Sequence, residues 1–383
     1  MSEYRIAIAC SGLGHISRGI ETWAEDSARA LHRAGQQVTL FQGAGKPVDT
    51  WAQVIPCSRR FEPSTQAWVR RFRHLGGWRY GLGSGYQIEQ TTFALRLWPR
   101  IRQNYDILHV QDPHIALIME RLHRAGLSRP RVILAHGTEE DTSFLSRFSY
   151  LQHLAPCYLE SWENVKPSSQ RAFAVPNFVD VERFTPGNKV AARKELGLPK
   201  DTLIVFCAAA IKRNHKRIDY LVREFYHFRQ KMQRPVLLVV AGGREADSDE
   251  LIQQSKELLG DSVLFLISVP RDKMPLYHQS ADIFAIASLH EMMPIAVLEA
   301  LSSGLPIACN ATETLRWMVG PAGCLNDISE EGALAEQLHR LADPALRSEL
   351  SLLARHHAVE NFSEPVVIKQ MLDKYRQVMD NKE

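Results

Sequence analysis

Two carboxylates eight residues apart, Glu291 and Glu299, have the spacing in this chain that best suits chemistry. The apolar run Ile283–Ala287 predicts a strand, Ser288 to Met293 a loop, and Pro294 the opening of a helix, where its missing N–H costs nothing. Gly304 and Pro306 then stop that helix. Main-chain N–H groups of Met293, Ile295 and their neighbours are thereby delivered to the carboxyl end of a parallel sheet, a ready anion site. Glu291 stands ahead of the helix and Glu299 about one turn inside it. Carboxylates accept hydrogen bonds from paired hydroxyls. One ligand with a hydroxyl-rich group at each end and phosphates between would satisfy the whole segment, and a nucleotide sugar is such a ligand. Two glutamates at this spacing are ordinarily a solvated loop residue and a helix-surface residue. The strand-loop-helix context is what favours the sharper reading.

Breaking a sugar–phosphate bond leaves negative charge on the departing diphosphate, so fixed cations or N–H dipoles there carry most of the catalysis. The run Lys212-Arg213-Asn214-His215-Lys216-Arg217, just after the predicted strand Leu203–Ala210, supplies them; a solvated or nucleic-acid-binding loop is the plainer alternative. The first predicted strand is followed by Gly12-Leu13-Gly14-His15, but Ser17 occupies the third glycine position of a dinucleotide fingerprint, so that motif is incomplete. Gly12 and Gly14 would allow close backbone approach to phosphate or acceptor, with His15 and Arg18 nearby. Packing or capping explains His15 equally well. His136 follows a predicted strand and points toward a ligand. His109 and His114, with Asp106 and Asp112, have no metal-ligand spacing and read as core or loop residues. The stretch 68–80 mixes Trp68, Phe72, Trp78 and Tyr80 with arginines, which fits either an anionic acceptor or membrane surface or a partly buried helix with snorkelling arginines.

The elements that must position these residues form two similar arrays. The first runs strand, glycine loop, helix Gly19–Ala34 and strand Gln37–Phe41, then strands at Ile107–Val110 and Arg131–Ala135; residues 59–85 read as an irregular surface excursion. The second follows Pro186-Gly187, with strands at Leu203–Ala210, Val236–Ala241, Val263–Ile267, Ile283–Ala287 and Ile307–Asn310 and a helix over Asp219–Gln230. Alternation of this kind makes a parallel doubly wound sheet. An α/β chain of two Rossmann-like domains facing across a cleft is expected, at 1–176 and 177–362, with helix 363–383 packing back on the first. With 383 residues, 45% hydrophobic, and 46 basic against 43 acidic side chains, the chain is neither disordered nor globally basic, which gives no footprint for nucleic acid. Six scattered cysteines read as buried thiols of a reducing compartment. No leader and no run of about 20 apolar residues is present in the sequence, so a cytoplasmic protein is expected.

The segment Ser288-x-x-Glu291-x-x-Pro294-x-x-x-x-Glu299-Ala300-Leu301 resembles the E-x7-E motif of retaining GT-B glycosyltransferases of family 4. Val175-Pro176-Asn177-Phe178-Val179-Asp180 resembles that family's interdomain stretch, with Phe178 where glycine is commoner, and Val239-Val240-Ala241-Gly242-Gly243 its donor-domain turn. Lys216-Arg217-Ile218-Asp219-Tyr220-Leu221 resembles its K-G-(V/I)-D-L-L, with Arg217 in place of glycine. The resemblance implies metal-independent transfer of a sugar, with retention, from a nucleoside-diphosphate sugar co-substrate, without a further cofactor. It implies Glu299 on the ribose, Glu291 and His136 on the transferred sugar, Met292, Met293, Pro294 and Ile295 on sugar or phosphates, and main chain near Ser268 and Val269 on the base. Gly14 and Lys216 would meet the donor phosphates, and Gly12, His15 and Arg18 the acceptor. A strand-end arginine usual in the family is replaced by Ala209-Ala210-Ile211, and Lys212 or Arg213 is the candidate substitute. The acceptor, a small molecule, a glycan or a lipid-linked group, stays open, as does a peripheral contact of 68–80 with an anionic inner membrane face. A sugar-nucleotide epimerase or hydrolase of the same build, or a nucleotide-sugar-binding protein without turnover, are the rivals.

Overall fold

A computed structural model describes residues 4–16, 18–73, 76–77, 81–138 and 140–380. The chain divides into two compact units, Met1–Pro176 with Ile368–Glu383, and Asn177–Val367. Among the described residues the first unit holds a seven-stranded sheet of β1 (Arg5–Cys10), β2 (Gln37–Gln42), β3 (Ala52–Val54), β4 (Ile107–Val110), β5 (Arg131–His136), β6 (Tyr150–His153) and β7 (Arg171–Ala174), in the order β3-β2-β1-β4-β5-β6-β7. The second holds six strands, β8 (Leu203–Ala208), β9 (Val236–Gly242), β10 (Val263–Ile267), β11 (Ile283–Ala285), β12 (Ile307–Asn310) and β13 (Gly323–Asn326), in the order β10-β9-β8-β11-β12-β13.

Neighbouring strands are parallel throughout both sheets. Helices on both faces explain why the central strands are continuous apolar runs rather than alternating ones: Ile6 to Cys10 and Leu203 to Cys207 are buried without a break. Two Rossmann-like sheets are therefore present, as the alternating pattern predicts. In each, the strand order reverses beside the first strand, between β1 and β4 and between β8 and β11. That switch point is where an open parallel sheet leaves a crevice at its carboxyl ends.

The sequence reading departs from the structure between 59 and 85. Helix Pro63–Arg73 occupies this region, and Ser84 caps a second helix, Gly85–Ile101, by accepting the Gln87 N–H at 3.1 Å. Exposed arginines at 70 and 71 break the apolar period of the first helix, which is why it read as irregular. The chain ends in helix Glu364–Asp380. In the first unit its Tyr375 hydroxyl meets His109 Nδ1 at 2.7 Å, and the Arg131 guanidinium donates to the Val378 carbonyl.

Candidate active site

In the second unit, the loops after β8 and β11 flank the switch point, and they bring Lys216 and Glu291 together. The Lys216 ammonium donates to Glu291 Oε1, with the lysine side chain 22% and the glutamate 9% exposed. The turn that delivers Lys216 is tightly wound. Lys216 N–H donates to Asn214 O at 2.8 Å, Arg217 N–H to Arg213 O at 3.0 Å and Ile218 N–H to Lys212 O at 3.2 Å. It places His215 (φ 68°) and Arg217 (φ 48°) in the left-handed region, which costs a residue with a Cβ about 1–2 kcal/mol each. Behind the pair lies Cys207, whose thiol burial pushes up to about 12, so it is inert there.

The loop carrying Glu291 is pinned from two sides. Asn310, at the end of β12, donates to Leu289 O at 2.7 Å, while its Oδ1 accepts the Ile328 and Ala311 N–H groups at 3.2 and 3.0 Å. Asn177 donates through Nδ2 to Met293 O at 2.9 Å and through its N–H to the Met293 sulfur at 3.1 Å. Met293 is buried and Met292 half-buried. Pro294 is the cap of helix Ile295–Ser302, its extended backbone (φ −72°, ψ 115°) turning the chain into the first helical residue. The first N–H groups of a helix lack the usual partner one turn back; here that of Val297 donates to Pro294 O at 3.0 Å. Glu299 sits in the second turn of this helix, only 8% exposed, with Oε2 3.7 Å from Nε2 of the fully buried His278. It is not a solvated helix-surface residue.

The other donor-side candidates divide. Arg213 is engaged elsewhere: its guanidinium donates to Glu250 at 3.1 Å and Gln254 at 2.7 Å, and its N–H to Asp247 at 2.9 Å. Half-buried Lys212 contributes its carbonyl to the Lys216 turn. At the end of β10, Ser268 is exposed with φ 52°, and its N–H donates to Gly242 O at 3.0 Å, so any base contact there falls to the carbonyl or to half-buried Val269. Arg217 donates to Ile328 O at 3.0 Å and Ala287 O at 3.3 Å and lies 3.9 Å over the Tyr220 ring.

In the first unit, the glycine loop after β1 is packed on its own chain. A Cβ on Gly12 would fall 2.0 Å from Glu21 Oε1, and one on Gly14 (φ 95°) 2.0 Å from the Ala44 carbonyl oxygen. These glycines make room for neighbours within the fold, which is a different reason from the ligand approach that the sequence suggests. Beneath the loop lies a set of buried acids that no local motif announces, since its bonded partners lie 26 to 101 residues apart. Ser11 donates its N–H to Asp112 at 2.7 Å, Tyr86 its hydroxyl to Asp112 at 3.1 Å, and Arg60 its guanidinium to Glu89 at 2.5 and 3.1 Å. His15 Nε2 lies 2.9 Å from Glu89 Oε2. Burial alone would raise the Glu89 carboxyl, but hydrogen bonds from His15 and Arg60 hold it at about 2. Glu21 and Asp112 are both raised, first by burial. Arg18 is exposed at the start of helix Gly19–Arg33.

His136 ends β5, 9% exposed, directly across the ladder from His153 at the end of β6, their rings edge to face at 5.6 Å. Burial lowers His136 to about 4 and His153 to about 3. Both imidazoles are neutral near pH 7, so His136 can donate or accept a hydrogen bond but brings no charge. On helix Pro63–Arg73 and its approach, Phe61 is 70% and Trp68 52% exposed, and Arg59, Arg70 and Arg71 are exposed beside them. The rest of the basic-aromatic stretch, at His74, Leu75, Trp78, Arg79 and Tyr80, lies outside the described residues.

Comparison with known proteins shows the family of the chain. Residues 17–183 match the family model described as Glycosyltransferase Family 4, and residues 188–361 that of Glycosyl transferases group 1. A D-inositol 3-phosphate glycosyltransferase of Acidothermus cellulolyticus is 29% identical over 219 residues, 55% of this chain and 48% of the relative. A GDP-mannose-dependent alpha-(1-6)-phosphatidylinositol monomannoside mannosyltransferase of Mycolicibacterium smegmatis is 28% identical over 204 residues, 49% of this chain and 52% of the relative. The chain thus spans about half the length of these two curated relatives. Among solved structures, a sucrose-phosphate synthase from Thermosynechococcus elongatus superposes over 98% of both chains with a TM-score of 0.78 at 19% identity, a likeness of fold. With one half matching family 4, the other matching group 1, and two switch-point sheets of the expected order, the chain belongs to the GT-B glycosyltransferases.

Proposed function

We propose that the protein transfers a sugar from a nucleoside-diphosphate sugar to a hydroxyl of a polyol or polyol-lipid acceptor, with retention at the anomeric carbon and without a metal. The observation that carries this reading is the Lys216–Glu291 pair at the β8/β11 switch point, immediately ahead of helix Ile295–Ser302. In this reading Lys216 and the helix amides take the diphosphate, Glu291 a hydroxyl of the moving sugar and Glu299 the ribose. His136 offers a neutral hydrogen bond to the sugar. The second unit is the donor side and the first the acceptor side. Relatives acting on an inositol phosphate and on a phosphatidylinositol mannoside support the polyol class of acceptor.

A thermal-shift panel of UDP-, GDP-, ADP- and dTDP-sugars identifies the donor, since a ligand that binds only the folded state raises the midpoint. Transfer to inositol phosphates with that donor should then be lost in Glu291→Ala. Full transfer by that variant would sink the assignment, and release of free sugar regardless of acceptor would point to a hydrolase.

The protein is further proposed to work in the cytoplasm at an anionic membrane face. Among the described residues no helix is long and apolar enough to cross a membrane. The first unit carries 25 Lys and Arg against 18 Asp and Glu, and presents Phe61 and Trp68 beside exposed arginines. Apolar side chains and cations on one surface suit a headgroup layer. Co-sedimentation with phosphatidylglycerol vesicles should be strong at low salt and should weaken in Phe61→Ser/Trp68→Ser; indifference to lipid charge would remove the idea.

A further inference from the structure

We infer that Arg217 is a positioning residue that fixes the separation of Lys216 and Glu291, an inference that rests on the site reading just given. Its main chain and its side chain hold opposite partners of the pair. Through the backbone it is bonded to Lys216, and its own N–H closes the turn onto Arg213 O. Through the guanidinium it donates to Ala287 O, at the root of the loop that carries Glu291, and to Ile328 O beyond β13. A left-handed arginine persists only where its surroundings over-determine it. Here the surroundings are one face of helix Ile218–Gln230.

On that face Tyr220 lies under the guanidinium and donates its hydroxyl to Glu330 O at 2.7 Å. One turn further, the fully buried Glu224 carboxylate accepts the N–H groups of Gly332 at 2.7 Å and of Leu334 and Ala335 at 2.9 Å. Segment 328–335 is thereby strapped to the helix, and its Ile328 carbonyl is a rigid second anchor for Arg217. Ile328 also donates its N–H to Asn310, whose amide holds Leu289 O in the same loop as Glu291. The guanidinium and Asn310 thus grip the Glu291 loop at Ala287 and Leu289 from a common support. Glycine at 217 would keep the turn and lose the grip.

The test uses Arg217→Gly in the full chain, with Arg217→Lys as a second variant that keeps charge and side-chain length but not the planar fork. Turnover is read with whichever of UDP-glucose, GDP-mannose, ADP-glucose and dTDP-glucose the parent consumes, and affinity with the matching nucleoside diphosphate. The expected result is at least a tenfold fall in kcat for Arg217→Gly, a smaller fall for Arg217→Lys, and a diphosphate Kd within threefold of the parent. Free guanidinium at millimolar concentration should restore part of the Arg217→Gly turnover, because it can refill the site between the two carbonyls and the Tyr220 ring. Normal turnover in Arg217→Gly alongside a dead Glu291→Ala would overturn the inference and leave the site reading standing. Loss of turnover, diphosphate affinity and thermal midpoint together, without guanidinium rescue, would reduce Arg217 to a folding role and likewise overturn it. Normal turnover in both Arg217→Gly and Glu291→Ala, or a parent that consumes none of the four donors, would instead remove the reading beneath it.

Discussion

Replacing Lys216 by alanine deletes the cation that donates to Glu291 and, in the proposed mechanism, to the donor diphosphate. Two costs follow, and they can be separated. Within the fold, Glu291 loses this partner while its side chain is 9% exposed. Breaking a sealed ion pair costs roughly 3–5 kcal/mol, but Lys216 is 22% exposed and water can enter behind it, so about 1–2 kcal/mol of stability is expected. For the ligand, one charge-assisted hydrogen bond is worth about 1.5–3 kcal/mol, which is roughly a 10- to 150-fold rise in Kd. Calorimetry with UDP, GDP, ADP and dTDP on the parent chooses the probe, and urea denaturation reads the stability. Adding Glu291→Gln removes the charge that needed compensation. The double variant should therefore recover stability and leave diphosphate affinity low. A diphosphate Kd within twofold of the parent in Lys216→Ala, or affinity recovered in the double variant, would refute the phosphate role.

Two other consequences concern the first unit. Gly14→Ala forces a Cβ to 2.0 Å from the Ala44 carbonyl at φ 95°, so it should lose roughly 2 kcal/mol or more of stability by urea denaturation; a change under about 0.5 kcal/mol would mean that the loop can relax. His136 and His153 are neutral in the fold down to about pH 4 and 3, whereas the unfolded chain takes up those protons near pH 6.5. Their contribution is complete above pH 6.5 and declines as pH falls from there, to about 4 for His136 and about 3 for His153, so His136→Asn/His153→Asn should flatten the slope of unfolding free energy in that window. An unchanged slope would place the protonation elsewhere.

The fold was legible because both sheets are buried on both faces, which makes their strands short apolar runs between glycines and prolines. Ile107–Val110, Val263–Ile267 and Ile307–Asn310 have the bounds that the residues suggest. Strands that carry polar side chains at their carboxyl ends were not legible: Tyr150-Leu151-Gln152-His153 lacks an apolar run, although its four residues are buried. Ala52–Val54 is too short to carry a pattern. For the site, strand ends place Lys216 and Glu291 in loops, but their meeting depends on β8 and β11 being neighbours, which no local spacing reports. The pairing of Arg60 with Glu89, and of Asp112 with Ser11 and Tyr86, was invisible for the same reason, although Asp112 by itself reads as a core or loop residue. Arg213 illustrates the converse, since a basic run in a loop does not say which of its members turns toward helix Ser248–Leu259.

The glycines after β1 carry a consequence for descent. Their missing side chains leave the space that Glu21 and the Ala44 carbonyl occupy, both part of the same unit. Selection for folding alone is enough to keep Gly14, whose Cβ would meet main chain at a positive φ, while a Cβ on Gly12 would meet the ends of the Glu21 and Arg60 side chains. A descendant that had lost every substrate would still retain Gly14, whereas folding holds Lys216 and Glu291 through their mutual ion pair, which a concerted replacement of both removes at little cost. Paired drift at those two positions against constancy at Gly14 would therefore date the loss of catalysis within a lineage, and the glycine loop would serve as its unmoving reference.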